Sequence, residues 1–226
     1  DRTDSLEAAE LAIRWRDKGV VGFHLAGGEY GHPPKKHVDA FHAIQRANFY
    51  ITIHAGEAFG PESIWQALQW CGAHRLGHGT RLRNDIEIRP DGTLKLGHLA
   101  QYILDRRVPL EMCLSSNVHT GACASFEEHP FALFHRAGFR VFLNTDDRLM
   151  SDTEMSKELA IATTTFGLSL VELEKMTMNA MKSAFIPHEV RVDLIRRRLL
   201  PTYSMLFAEL TAEAFSKQLP KNPHLA

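Results

Sequence analysis

The 226 residues carry 26 Lys and Arg against 27 Asp and Glu, a formal charge of −1, with 44% hydrophobic and 23% charged side chains. That is the composition of a globular protein with a sizeable core, not of a disordered or collagen-like chain. So even a charge balance offers no nucleic-acid-binding surface, no polybasic run points to an anionic membrane, and no apolar run approaches a membrane span. Cys71, Cys113 and Cys123 form no C-x-x-C pair, and an odd count argues against a disulfide framework; they read as small core residues of a cytoplasmic protein. Histidine is the residue in excess, with 13 copies.

The chain opens without a signal-peptide pattern. Leu6, Ala9 and Ile13 recur at helical spacing and Gly19 marks a stop. A chain that starts so abruptly in regular structure is expected to continue upstream. Five short apolar runs follow, Val20–Ala26, Phe49–His54, Arg75–His78, Val108–Leu114 and Val141–Thr145, each ending in polar or Gly residues. Helical patterns lie between them. Pro61 sits just inside a helix start, with Ile64, Leu68 and Cys71 on one face. Leu96, Leu99, Tyr102 and Ile103 form a second, and Phe131, Phe134 and Ala137, opened by His129-Pro130 and closed by Gly138, a third. After Asp147 no strand run follows. Ser151-x-x-Glu154 and Ser169-x-x-Glu172 fit capping boxes, and Pro187, Pro201 and Pro220 read as helix breakers.

Repeated strand and helix imply a parallel sheet covered by helices, in one domain over residues 1–226. An open doubly wound sheet and a β/α barrel both fit. Nearly every run delivers its unusual polar residues at its C-terminal end, the active-site face of a barrel, and no G-x-G-x-x-G phosphate loop supports the open sheet. The barrel is preferred.

Three strand ends carry candidate chemistry. In Thr52-Ile53-His54-Ala55-Gly56-Glu57 an imidazole can hold a metal while the carboxylate three residues on moves protons; a strand-end His is also an ordinary structural feature. In Gly77-His78-Gly79 the flanking glycines point to close approach by another group, against a plain surface His. In Asn144-Thr145-Asp146-Asp147 two adjacent carboxylates repel unless a positive group or a shared proton stands between them, against a solvated turn.

Together HLAGGE, TIHAGE, RLGHGT, SSNVHTGA and NTDDRLMS, in this order, resemble the adenosine deaminase family from about Gly19 to about Pro187, with residues 188–226 as a helical tail. The resemblance implies a (β/α)8 TIM-type barrel, of which these runs would be strands four to eight, and one Zn²⁺ per chain. His54 and Asp146 resemble the family's zinc ligands, Glu57 its proton-shuttling glutamate, and His78 the histidine that orients the attacking hydroxide. Asp147 resembles the acid that meets the purine's five-membered ring, and Gly27 the backbone contact to its other edge. The chemistry agrees: zinc lowers the pKa of water to about 7, and one carboxylic acid near both purine N1 and the leaving amine can serve each in turn. The cytidine-type signature, H-x-E with P-C-x-x-C, is absent.

His24 stands where the family usually has Asp, and Leu114 where it usually has Pro. Arg148 beside Asp147 reads as a clamp on that carboxylate or as part of a salt-bridged surface loop. Glu111 could orient His78 from the next strand, and His119 is the remaining histidine best placed for a role. The family's H-x-H zinc pair occurs nowhere in the chain, and five strands do not close a barrel. An upstream segment is therefore expected to supply it. The expected function is zinc-dependent deamination of adenosine or 2′-deoxyadenosine in purine salvage, with a small purine nucleoside as partner rather than nucleic acid or membrane. The alternatives are an enzyme acting on adenine or another adenine derivative, and a non-catalytic nucleoside-binding barrel.

Overall fold

The structure is a computed structural model that describes residues 2–218. Its strands are β1 (Phe23–Leu25), β2 (Ile51–Ala55), β3 (Arg75–His78), β4 (Ile86–Ile88), β5 (Leu94–Leu96), β6 (Leu110–Met112) and β7 (Val141–Leu143). Its α-helices are α1 (Arg2–Arg14), α2 (Val38–Arg46), α3 (Pro61–Gln69), α4 (His98–Asp105), α5 (Leu114–His119), α6 (Phe131–Arg136), α7 (Met155–Phe166), α8 (Leu170–Ser183), α9 (His188–Leu194) and α10 (Leu200–Gln218).

Each of the five apolar runs supplies one strand of a single sheet, ordered β1-β2-β3-β6-β7 and parallel at every pairing, with β2 extending one residue past its run to Ala55. Its register builds two unlike faces. Ile53, Leu76, Leu110 and Val141 align across neighbouring strands and are fully buried in the core. They pack with helix residues such as Phe41, Ile44, Ile64, Ile103 and Phe134. Because side chains alternate along a strand, the residues between them face the other way. That face carries the polar residues His24, Thr52, His54, Arg75 and Glu111, with Phe142 opposite Glu111 in the register. Arg75 Nε pairs with Glu111 Oε2 at 3.2 Å, and Asn144 Nδ2 donates to Glu111 Oε1. Glu111 is therefore engaged by Arg75 and Asn144, not by His78.

Several local expectations change. β4 and β5 form an antiparallel hairpin outside the main sheet, so Leu96 belongs to a strand and α4 begins only after Gly97. The run Val108–Leu114 ends as a strand at Met112, and Leu114 is the first residue of α5. Ser169 and Glu172 form the expected capping box of α8, whereas Ser151 lies in a buried turn and α7 starts after Glu154. Pro201 breaks nothing. The Leu200 N–H bonds Ile195 O, five residues back, in a π-turn (Ile195–Leu199) that joins α9 to α10 and places Pro201, which lacks an N–H, just after the widened turn. Pro220 lies outside the described residues. Among the described residues no helix is long and apolar enough to cross a membrane. The three thiols are free and buried, and burial pushes Cys71 up to about 12 and Cys123 up to about 11.

Candidate active site

Four of the singled-out side chains converge at the C-terminal ends of β2, β3 and β7. His54, the last but one residue of β2, lies on the polar face. Its ring lies edge-on to that of His78, with centroids 4.3 Å apart and Nδ1 3.2 Å from His78 Nε2. A Cβ on Gly77 would come within 2.6 Å of His54 Cδ2, so the glycine before His78 is what admits the His54 ring. His78 is 1% exposed and has φ 67°, and Asp146 has φ 56°. Left-handed backbone is uncommon for side-chain-bearing residues, and its presence at both positions marks local strain of the kind found at functional sites. Asp146 Oδ2 lies 4.0 Å from His78 Nε2.

One donor atom each from His54, His78 and Asp146 lies within 4.8 Å of the others, close enough to hold one metal ion. Two imidazoles and a carboxylate are a donor set that suits zinc. The His54 pKa is lowered to about 3, by burial first and then by His78 and His24. It is thus neutral at neutral pH, the form that binds metal. His24 packs edge-on against His54, centroids 4.6 Å apart, and its pKa is lowered, chiefly by desolvation.

Glu57 is held by two elements. Its Oε2 lies 3.6 Å from His78 Nε2, while Oε1 accepts from Asn117 Nδ2 at 3.1 Å and Thr120 Oγ1 at 2.9 Å. Both donors come from α5 or its end, as does Ser116, whose Oγ donates to Asp146 Oδ2 at 2.7 Å. Residues 116, 117 and 120 share one face, so α5 and its C-cap residue reach three site residues, Asp146, Glu57 and, through Asn117 Nδ2, His78. The buried Glu158 of α7 braces that helix by accepting from the Ser115 N–H at 3.2 Å.

Gly27 and His54 line one cavity of about 260 Å³, with Glu29, His32 and His37. Asp147 is not brought into the group. It is exposed, and its Oδ1 accepts from the Met150 N–H in its own turn; among the described residues no ion pair links it to Arg148. His119 is exposed at the end of α5, and the inward position belongs to Asn117.

Sequence reasoning missed Glu29, which is 8% exposed. Its carboxylate accepts four successive backbone N–H groups, from Gly56 at 2.5 Å, Glu57 at 2.9 Å, Ala58 at 2.7 Å and Phe59 at 3.1 Å. The loop that presents Glu57 is thus wrapped around a buried carboxyl group. The signal was present, since Glu29 ends HLAGGE, but a carboxylate after two glycines does not announce which amides it will meet.

A parallel β/α sheet with a His/His/Asp donor group and a carboxylate at its strand ends fits the class of β/α-barrel proteins that carry a metal site at the C-terminal ends of their strands. The comparisons narrow that class. A family model described as adenosine deaminase matches residues 1–198. The chain is 55% identical over 205 residues to adenosine deaminase 1 of Streptomyces coelicolor, covering 91% of this chain and 52% of the relative. It is 55% identical over 202 residues to the adenosine deaminase of Mycobacterium marinum, covering 89% and 56%. Among solved structures it resembles an adenine deaminase from Arthrobacter aurescens (TM-score 0.78, 22% identity, 92% of this chain and 58% of the other). It also resembles the N6-methyl-AMP deaminase of Arabidopsis thaliana (0.74, 27%, 92% and 56%) and an amidohydrolase from Burkholderia ambifaria with bound Zn (0.76, 20%, 94% and 57%). The chain belongs to the adenosine deaminase family, and its fold is the β/α-barrel type preferred from sequence. It spans about half the length of the curated relatives it matches.

Proposed function

We propose that the full-length protein is a zinc-dependent aminohydrolase that converts adenosine or 2′-deoxyadenosine to the corresponding inosine and ammonia, in cytoplasmic purine salvage. The observation that carries this reading is the convergence of Glu57 on the His54, His78 and Asp146 group. Identity of 55% to adenosine deaminases, against 27% and 22% to the N6-methyl-AMP and adenine deaminases, favours the nucleoside as substrate.

His54 and Asp146 would hold one zinc per chain, and the remaining donors would be the H-x-H pair that the family resemblance implies, since two ligands alone bind zinc weakly. Zinc at this position supplies a nucleophile at neutral pH by lowering the pKa of water to about 7. Glu57, with Oε2 turned toward the donor group, gives its proton to purine N1 as oxygen adds to C6; as the carboxylate it then takes the proton of the newly added hydroxyl and passes it to the departing amine, leaving the C6 carbonyl. His78 donates a hydrogen bond to the attacking oxygen and holds its developing charge. Gly27 meets one edge of the purine in the cavity it shares with His54. Asp147 would have to turn inward to meet the five-membered ring.

Glu57→Gln tests this directly, because the amide keeps the shape but cannot shuttle protons. The expected result is a loss of about 10³-fold or more in kcat with bound zinc unchanged by metal analysis. Turnover within tenfold of wild type would contradict the assignment.

A further inference from the structure

Below the site runs a chain of hydrogen bonds whose direction is fixed at its far end. The backbone N–H of Phe131 can only donate, and it donates to His129 Nδ1 at 3.1 Å. His129 therefore accepts at Nδ1 and, as a neutral ring, carries its proton on Nε2. It is 3% exposed, and burial lowers its pKa to about 3, so the neutral ring is the form present. Nε2 lies 3.1 Å from Asn117 Oδ1, which must accept. The amide of the fully buried Asn117 is thereby oriented, and its Nδ2 faces His78 Nδ1 at 3.0 Å and Glu57 Oε1 at 3.1 Å.

We propose that His129 and Asn117 are positioning residues that set the proton positions of the site: Asn117 forces His78 to accept at Nδ1 and carry its proton on Nε2, and confines the mobile proton of Glu57 to Oε2. Neither residue has the roles ascribed above to Glu57 and His78, and the proposal rests on those roles. Two consequences follow. The His78 nitrogen that faces Glu57 and Asp146 bears a hydrogen, so His78 acts as a donor and not as a metal ligand, although it lies within the donor group. Glu57 Oε1 is filled by donors from Asn117 and Thr120, leaving Oε2, the oxygen 3.6 Å from His78 Nε2, to carry and release the proton.

The test uses the zinc-loaded full-length protein with ¹⁵N-labelled histidine, in which two-bond ¹H–¹⁵N spectra report each tautomer and the His78 signals are assigned by their loss in His78→Gln. Wild type should show His78 protonated at Nε2. In Asn117→Asp the carboxylate cannot donate, so His78 should become protonated at Nδ1, with kcat falling about 100-fold and KM staying within about threefold. His129→Leu should leave the Asn117 amide unanchored, give mixed His78 tautomers and lower kcat about tenfold, and His129→Gln, which restores an N–H donor, should recover most of that loss. The proposal is overturned if wild-type His78 is protonated only at Nδ1, or if tautomer and kcat stay within about twofold in Asn117→Asp. Asn117→Asp and His129→Gln preserve volume and keep the test decisive if His129→Leu does not fold. Absent adenosine turnover in wild type would sink the proposed activity, while the spectra would still decide the tautomer.

Discussion

Four consecutive backbone N–H groups on one carboxylate make Glu29 the residue on which the placement of Glu57 depends. Hydrogen bonds to a charged acceptor are about twice as strong as neutral ones, and removing the acceptor leaves buried donors unpaired. Glu29→Ala should therefore cost about 3 kcal/mol or more in urea unfolding and lower turnover, without removing any group that meets substrate. A loss below about 0.5 kcal/mol would mean that water replaces the carboxylate at no net cost. At this scale the sequence was most legible where a residue's type announced its chemistry. His54, Glu57, His78 and Asp146 were identified on the motifs that contain them, and the structure brings all four together. Glu29, Asn117 and Ser116 lay inside the same motifs and went unassigned, because their work is to hold other residues and depends on contacts from 27 to 60 positions away.

Elements matter through how closely they approach. β2 and β3 meet with His54 opposite Gly77 in the register, and the His54 ring lies over the space that a side chain at 77 would fill. Gly77→Ala should displace that ring and weaken zinc binding at least about tenfold, the range seen when a ligand loses its supporting contact, although no ligand is altered. Unchanged zinc affinity in a competition titration would show that the ring has another place to go. The five strands of the main sheet are readable because each lies in a short run rich in apolar residues that ends in polar or Gly residues. The β4–β5 hairpin is not: three residues per strand, partly exposed, leave too short an alternation to stand out. Its neighbour α4 hides its start for a different reason. Asp85, fifteen residues upstream of the N–H it accepts, bonds Ala100 N at 2.8 Å and does the work of a cap, where local sequence offers only Gly97. The reverse error occurred at Ser151, where a capping pattern is present but the chain is turned through buried Ser151 and Thr153 before α7 begins.

For the whole molecule, stability and pH are coupled through His129. Its pKa is about 3 in the fold and about 6.5 in an unfolded chain, so between these values the unfolded state binds a proton that the native state does not. Stability therefore falls as pH drops below 6.5, by up to about 1.4 kcal/mol per pH unit from this residue alone. Between pH 7 and pH 5 wild type should lose about 2 kcal/mol more than His129→Leu in urea unfolding. Parallel losses in the two proteins would show that His129 is not a buried neutral ring. The parallel sheet puts the donor group, the Glu57 loop and α5 at one end, so that the proposed metal and proton chemistry would meet at a single place. The most direct measurement of that account is conversion of adenosine to inosine and ammonia by the full-length protein, followed through metal removal and return. The account predicts turnover with one equivalent of zinc, loss of turnover on chelation and recovery when zinc is restored; turnover that survives complete removal of metal, or zinc-loaded protein that leaves adenosine unchanged, would contradict it.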